Sequence, residues 1–315
     1  MTRLPLAAAM TLLISSQGAL AALPTLPVWP GGEAPGAKNS PAVPSLVDRS
    51  KDGALPDRAV TGIRAPEITV YAPAKPNGIA LLVTPGGSYQ RVVLDKEGSD
   101  LAPVFTAQGY TLFVMTYRMP ADGHAEGSNA PLADAQRALR TLRARAPEWH
   151  IDPHKIGIMG FSAGGHVAAS LETRYDDAVY PATDAVDGLS ARPDFVVLGY
   201  PVISMDPAIA HPGSRHALIG DTPTAEQQRR YSPEHNVTAA TPPTFIMHAV
   251  DDPSVPVDNA LVMFNALRAH KVPTELHLFA EGKHGFGIRG TTGLPAAEWP
   301  QLAMNWIASL PEMEK

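Results

Sequence analysis

The chain has 315 residues, a formal net charge of −6, 44% hydrophobic residues and no cysteine. The mildly acidic balance removes any general electrostatic reason to bind nucleic acid or an anionic membrane surface. The absence of cysteine excludes disulfides and thiol chemistry, so stability must come from a sizeable core and any nucleophile from Ser, Thr, Lys or a carboxylate.

Arg3 precedes an apolar run from Leu6 to Ile14, and Ala19-Leu20-Ala21 ends the first segment. One cation, a short apolar stretch and an Ala-x-Ala terminus predict a signal peptide over residues 1–21, cut after Ala21. The run is shorter than the roughly 20 apolar residues that span a bilayer, which argues against a membrane anchor. Cleavage leaves 294 residues with a formal charge of −7, destined for the periplasm or the medium.

Residues 22–60 are rich in Pro, Gly and Ala with few apolar clusters, and read as an extended arm or loop crossing the surface. Residues 61–315 read as one α/β domain. Apolar runs at 68–71, 79–83, 110–117, 156–159, 195–200, 245–250 and 276–279 predict strands, most of them continuous enough to be covered on both faces. Helical spacing appears at 132–145, 257–268 and roughly 298–310. In the first of these Leu132, Ala135, Leu139 and Leu142 form the core stripe, while Arg137 and Arg140 read as a solvated face. Strands alternating with helices predict a mostly parallel, doubly covered sheet in three layers. The long connection at 201–241, with Met205, His211 and Tyr231, reads as a small cap over the sheet's carboxyl edge.

Gly160-Phe161-Ser162-Ala163-Gly164 follows the run 155–159 and opens a small-residue helix. This is the G-x-S-x-G pattern of a nucleophile elbow, which lifts a serine hydroxyl above the sheet on a strained turn. A hydroxyl nucleophile needs a base and a carboxylate that orients the base. His284 is bounded by glycines in Gly282-Lys283-His284-Gly285, after the last strand and before the last helix, where it can reach across the sheet edge. Strand 245–250 ends in Asp251-Asp252-Pro253-Ser254-Val255-Pro256. Asp252 is the better acid, because the tight turn to Val255-Pro256 follows it directly; Asp251 is expected to cap or solvate the loop. Thr84-Pro85-Gly86-Gly87-Ser88-Tyr89 follows strand 79–83 and can aim N–H groups of Gly87 and Ser88 at an oxyanion, beside that of Ala163 after the nucleophile. Gly86 shapes this turn, and Gly86 and Tyr89 are candidates for substrate contact.

The order Ser162, Asp252, His284 resembles the α/β-hydrolase superfamily, and within it the bacterial acetyl-esterase-like enzymes related to acetylxylan and feruloyl esterases. Further residues that carry the resemblance are Pro131-Leu132-Ala133-Asp134-Ala135-Gln136-Arg137-Ala138, Arg192-Pro193-Asp194-Phe195, Tyr200-Pro201 and His284-Gly285-Phe286. Pro85 stands where many relatives have histidine, and Ser88 where many have a third glycine. The resemblance implies hydrolysis of short acyl esters, often on plant polysaccharide, through an acyl-enzyme. A prolyl-oligopeptidase-like peptidase shares the motif order but usually carries a large propeller, for which only about 140 residues precede Ser162. A silent binding protein would have no need of the four components together. His166, four residues after Ser162, is expected beneath the elbow as a buried structural residue, and Trp29 as a packing residue. No clustered His/Asp/Glu spacing suggests a metal, and no cofactor is implied.

Overall fold

In the central strands successive residues face opposite layers, and both faces are apolar. In strand β5 (Ala80–Thr84), Ala80 and Leu82 join one core cluster while Leu81 and Val83 join the other. The computed structural model, which describes residues 23–51 and 55–313, builds this pattern into an eight-stranded sheet. The expected signal peptide lies outside the described residues.

The chain enters with β1 (Thr25–Pro27), then β2 (Ser45–Asp48), β3 (Arg58–Thr61), β4 (Glu67–Tyr71), β5, β6 (Val92–Val93) and β7 (Thr111–Met115). It continues with β8 (Ile156–Phe161), β9 (Val196–Gly199), β10 (Thr244–Ala249) and β11 (Thr274–Phe279). The large sheet runs β1-β4-β7-β5-β8-β9-β10-β11, antiparallel at β1/β4 and β4/β7 and parallel from β7 onward. On one face pack α2 (Ala130–Ala144), α3 (Ala163–Arg174) and α6 (Asp258–Ala269); on the other pack α1 (Ala102–Thr106) and α7 (Trp299–Ala308). Helices α4 (Pro212–Ile219) and α5 (Ala225–Arg230) lie in the long connection after β9. This is the three-layer, mostly parallel architecture expected of the sequence. Among the described residues no helix is long and apolar enough to cross a membrane.

The N-terminal arm differs from its reading as a surface loop. β1 is an edge strand of the main sheet, and β2, β3 and β6 form a second, three-stranded antiparallel sheet. Strands of two to four residues are too short to display a period, and tertiary partners supply their order. Trp29 is buried against α2, with its indole N–H donating to Asp134 Oδ1 at 2.7 Å. Asp134 also takes the backbone N–H and guanidinium of the fully buried Arg118.

Arg137 corrects the expectation of a solvated arginine face. It is 4% exposed, pairs with Asp184 and Asp187, and lies 6.0 Å from the Trp29 ring centre. A helical stripe shows which residues share a face; it does not show that a later loop will fold over that face and neutralise it.

Candidate active site

The nucleophile candidate sits where β8 turns into α3. Ser162 has φ 54° and ψ −123°, a left-handed conformation unfavourable for a residue with a Cβ and costing about 1–3 kcal/mol. Its neighbours make the turn possible by being small. A Cβ on Gly164 would stand 2.0 Å from the Thr84 carbonyl oxygen, and one on Gly160 would stand 2.3 Å from that of Gly164. Thr84 Oγ1 donates to Gly164 O at 2.8 Å, fastening the end of β5 to the elbow.

Ser162 Oγ lies 2.8 Å from His284 Nε2, and His284 Nδ1 lies 2.7 Å from Asp252 Oδ2. The structure thus brings together three residues from the ends of three segments far apart in sequence. The Asp252 side chain is fully buried, and its Oδ1 accepts the N–H groups of Ser254 and Val255 at 2.8 and 2.9 Å. Burial pushes its pKa up, but hydrogen bonds from His248 and His284 outweigh that and hold the carboxyl well below the usual carboxylate range. An ionised acceptor on Nδ1 fixes the tautomer of His284, leaving Nε2 as the proton acceptor that faces the serine. Asp251 takes the other role expected of it, accepting the Lys283 N–H at 2.8 Å.

The turn after β5 is held in an unusual shape. Gly87, Ser88 and Tyr89 all have positive φ, at 143°, 59° and 58°. Among the described residues, the N–H groups of Gly87, Ser88 and Ala163 donate to no protein acceptor. Three free donors near one serine can hold a developing oxyanion.

Gly86 and Tyr89 are corrected as substrate contacts. The Gly86 N–H is spent on Glu97 Oε2 at 2.7 Å, and Tyr89 is 2% exposed with its hydroxyl on His166 Nδ1 at 2.7 Å. Both carry the turn from beneath instead of facing the cleft, because consecutive left-handed residues turn the Tyr89 side chain into the core. Tyr117 adds a third support, its hydroxyl donating to Pro85 O at 2.5 Å.

His166 is buried, as its spacing from Ser162 suggested. Its Nε2 donates to the Tyr231 carbonyl at 2.7 Å, so Nδ1 is the acceptor for Tyr89, and burial pushes the imidazole pKa down to about 4. A neutral histidine here ties the oxyanion turn to the segment after α5.

Two supporting residues escaped the sequence reading. Glu97 accepts both the Gly86 N–H and the Tyr200 hydroxyl, the latter at 2.9 Å, and Tyr200 in turn packs against the His284 ring. A lone glutamate after a two-residue strand offers no sequence signal. His248, on β10 four residues before Asp252, is fully buried with Nε2 3.0 Å from Val255 O and 3.3 Å from Asp252 Oδ2. Its Nε2 therefore carries the proton and Asp252 has two imidazole donors. The i, i+4 spacing across a strand end was a usable signal. His248→Phe removes one donor and is expected to lower kcat about tenfold with little change in KM, while His248→Asn recovers part of the loss; steady-state kinetics with thermal melts checks this.

Ser162 and His284 open into a cleft of about 180 Å³ lined also by Gly87, Ser88, Arg91 and Lys96, with Arg49 from the turn after β2. None of residues 201–241 lines it. The connection after β9 stays close to the catalytic residues: its Val202 N–H donates to Ser162 O at 3.0 Å and the half-buried His211 feels the charges of His284 and Asp252, while Val202, Ile203 and Met205 are fully buried in the core. A larger hollow of about 480 Å³ lies between this segment and α6 and contains none of the three residues. Among the described residues no group of three or more His, Cys, Asp or Glu could hold a metal ion.

Residues 69–267 match the BD-FAE family. The chain is 38% identical over 208 residues to endo-1,4-beta-xylanase B of Butyrivibrio fibrisolvens, covering 66% of this chain and 32% of the relative. It is 32% identical over 249 residues to the acetylxylan esterase of Xylanibacter ruminicola, covering 78% of this chain and 48% of the relative. The chain thus spans about a third to a half of the length of these curated relatives. Among solved structures, the acetyl ester-xyloside bifunctional hydrolase from Caldicellulosiruptor lactoaceticus superposes with a TM-score of 0.71 at 36% identity, over 84% of this chain and 96% of that one. With the sheet order, the elbow and more than half of the chain matched, the protein belongs to the BD-FAE family of α/β-hydrolases.

Proposed function

We propose that the protein is a serine esterase that removes short acyl groups, acetyl first among them, from carbohydrate. One observation carries the reading: an unbroken hydrogen-bonded line from Ser162 through His284 to Asp252, with three N–H groups at its serine end that have no protein acceptor among the described residues. In this reading Ser162 Oγ attacks the ester carbonyl carbon as its proton passes to His284 Nε2. The oxyanion sits on the N–H groups of Ala163, Gly87 and Ser88. His284 then gives its proton to the departing alkoxide, and a water whose proton His284 accepts attacks the acyl-serine; the acid leaves as His284 returns that proton to Ser162 Oγ. Asp252 stays ionised and orients the imidazole throughout.

The small cleft favours a small acyl group, and the names of the relatives, acetylxylan esterase and acetyl ester-xyloside hydrolase, make xylan-type sugars the first alcohol to test. On p-nitrophenyl esters the expected order is acetyl above butyryl, with decanoyl at least tenfold slower than acetyl in kcat/KM. Acetate release from acetylated xylan is expected to follow. A decanoyl preference would overturn the short-acyl reading.

The same reading places the protein outside the cytoplasm. The Arg3, Leu6 to Ile14 and Ala19-Leu20-Ala21 pattern supports it. N-terminal sequencing of the protein expressed in a Gram-negative host is expected to begin at Ala22, and an intact Met1 in the mature protein would count against export.

A further inference from the structure

We infer that this cleft selects esters whose alcohol carries a carboxylate, an acidic sugar such as a uronate next to the acylated position, with Lys96 and Arg91 as the residues that make the selection. The inference rests on the esterase reading and adds the charge of the substrate to it.

The chain is acidic overall, yet the cleft at Ser162 is lined by three cations, Arg49, Arg91 and Lys96, and by a single acid, Glu97. Glu97 is buried, with its two oxygens on the Gly86 N–H and the Tyr200 hydroxyl, and its single charge offsets one of the cations. Nearby arginines are neutralised: Arg58 pairs with Asp95, Arg289 with Asp100 and Arg49 with Asp57. Among the described residues Arg91 and Lys96 make no such pair. Among the described residues the Arg91 guanidinium hydrogen-bonds to the neutral Gln90 amide, at 3.3 Å, and to no carboxylate. Among the described residues the two cations without a carboxylate pair outnumber Glu97, and the net positive charge in the cleft focuses a positive potential on whatever enters.

Position decides which half of the ester meets that potential. The departing alcohol must lie within reach of His284 Nε2 to receive its proton, so the alcohol occupies the His284 side of the serine. Lys96 is on that side: a methyl group built on Gly285, the residue after His284, would stand 3.6 Å from Lys96 Nζ. Arg91 lies along the oxyanion turn, where a Cβ on Gly87 would meet its Cγ at 2.8 Å. A carboxylate on the sugar next to the ester would meet Lys96 first and Arg91 second. The second sheet, whose β6 leads from Arg91 to Lys96, holds both in place.

The test uses matched pairs. 4-Acetoxybenzoate and its methyl ester differ in one charge on the leaving group, and the ratio of their kcat/KM values, normalised to their rates with hydroxide, reads the selection. In the wild type the ratio is expected to favour the carboxylate at low salt and to shrink by 0.5 M NaCl. Lys96→Gln and Arg91→Gln are each expected to lower it about threefold to tenfold, and Lys96→Arg to retain most of it. On polymer, wild-type acetate release from acetylated glucuronoxylan is expected to fall once the glucuronate branches are removed by an α-glucuronidase. A third pair, p-nitrophenyl hydrogen succinate against p-nitrophenyl butyrate, carries the charge on the acyl side. A charged-to-neutral ratio unmoved by both substitutions, or polymer rates indifferent to the branches, would overturn the inference. So would a ratio that responds only in the succinyl pair. In each of those cases the neutral acetyl esters are still cleaved; folded protein that leaves every neutral ester untouched would instead remove the esterase reading and the inference with it.

Discussion

Ser162→Ala is expected to lower kcat on p-nitrophenyl acetate by about six orders of magnitude, to near the level that binding and the oxyanion donors alone provide. The size follows from the way the group works as a unit. His284 has one proton to take, and without Oγ 2.8 Å from Nε2 it has none to take from the protein. Water can occupy the gap, but it is neither held in line nor covalently retained, and the two-step path collapses into a single hard step. Stopped-flow burst kinetics and labelling with a fluorophosphonate supply the checks. The wild type is expected to label stoichiometrically and the alanine variant not at all, while melting temperatures stay close. Equal turnover in the two proteins would remove Ser162 from the reaction.

Asp252→Asn is expected to cost about four orders of magnitude in kcat. The replacement keeps the volume and the Oδ1 bonds to Ser254 and Val255, so the fold should survive. What changes is the sign of the partner facing His284 Nδ1, now 2.7 Å from Asp252 Oδ2. If the amide nitrogen takes that place it donates to Nδ1, the imidazole proton moves to Nε2, and the base facing Ser162 is lost. Two N–H groups, those of Ser254 and Val255, hold the amide oxygen at the Oδ1 position and so turn the NH2 toward His284, against the single pull of His248 Nε2–H, which favours an acceptor at Oδ2. An amide pinned with its oxygen toward both histidines would keep the tautomer and lose only the charge, so a loss as small as tenfold would identify that arrangement. Steady-state kinetics on p-nitrophenyl acetate separates the two outcomes. Asp251→Asn, one residue away, is expected to change kcat less than threefold, since Asp251 only accepts the Lys283 N–H at the surface.

The pair Asp251 and Asp252 shows how far a local pattern can reach. The Asp-Pro-Ser-Val-Pro stretch implies a tight turn, and such a turn delivers two N–H groups to the carboxylate at its start. That local geometry is written in five adjacent residues, and the structure places Asp252 Oδ1 on those two N–H groups. The elbow is of the same kind: a strand, a serine and small residues where backbones cross. By contrast, nothing beside Glu97 in sequence indicates that it would receive the N–H of Gly86 and the hydroxyl of Tyr200, 103 residues away. Tyr89 was placed on the substrate side by its neighbours and lies beneath the turn, because consecutive left-handed residues reversed its direction. Arg137 misled for a related reason: its exposure depends on which later segment folds over it.

The sequence by itself determined the strand runs, the major helices, the elbow and the order in which serine, acid and histidine follow one another. Those features rest on periodicity and on turn chemistry, which act over a few residues. Only the tertiary structure decided that a short N-terminal strand joins the main sheet, that His248 backs Asp252, and that Arg49, Arg91 and Lys96 line the cleft at Ser162. These depend on contacts between segments tens to hundreds of residues apart, where burial and unpaired charge settle the arrangement and no local pattern records the partner.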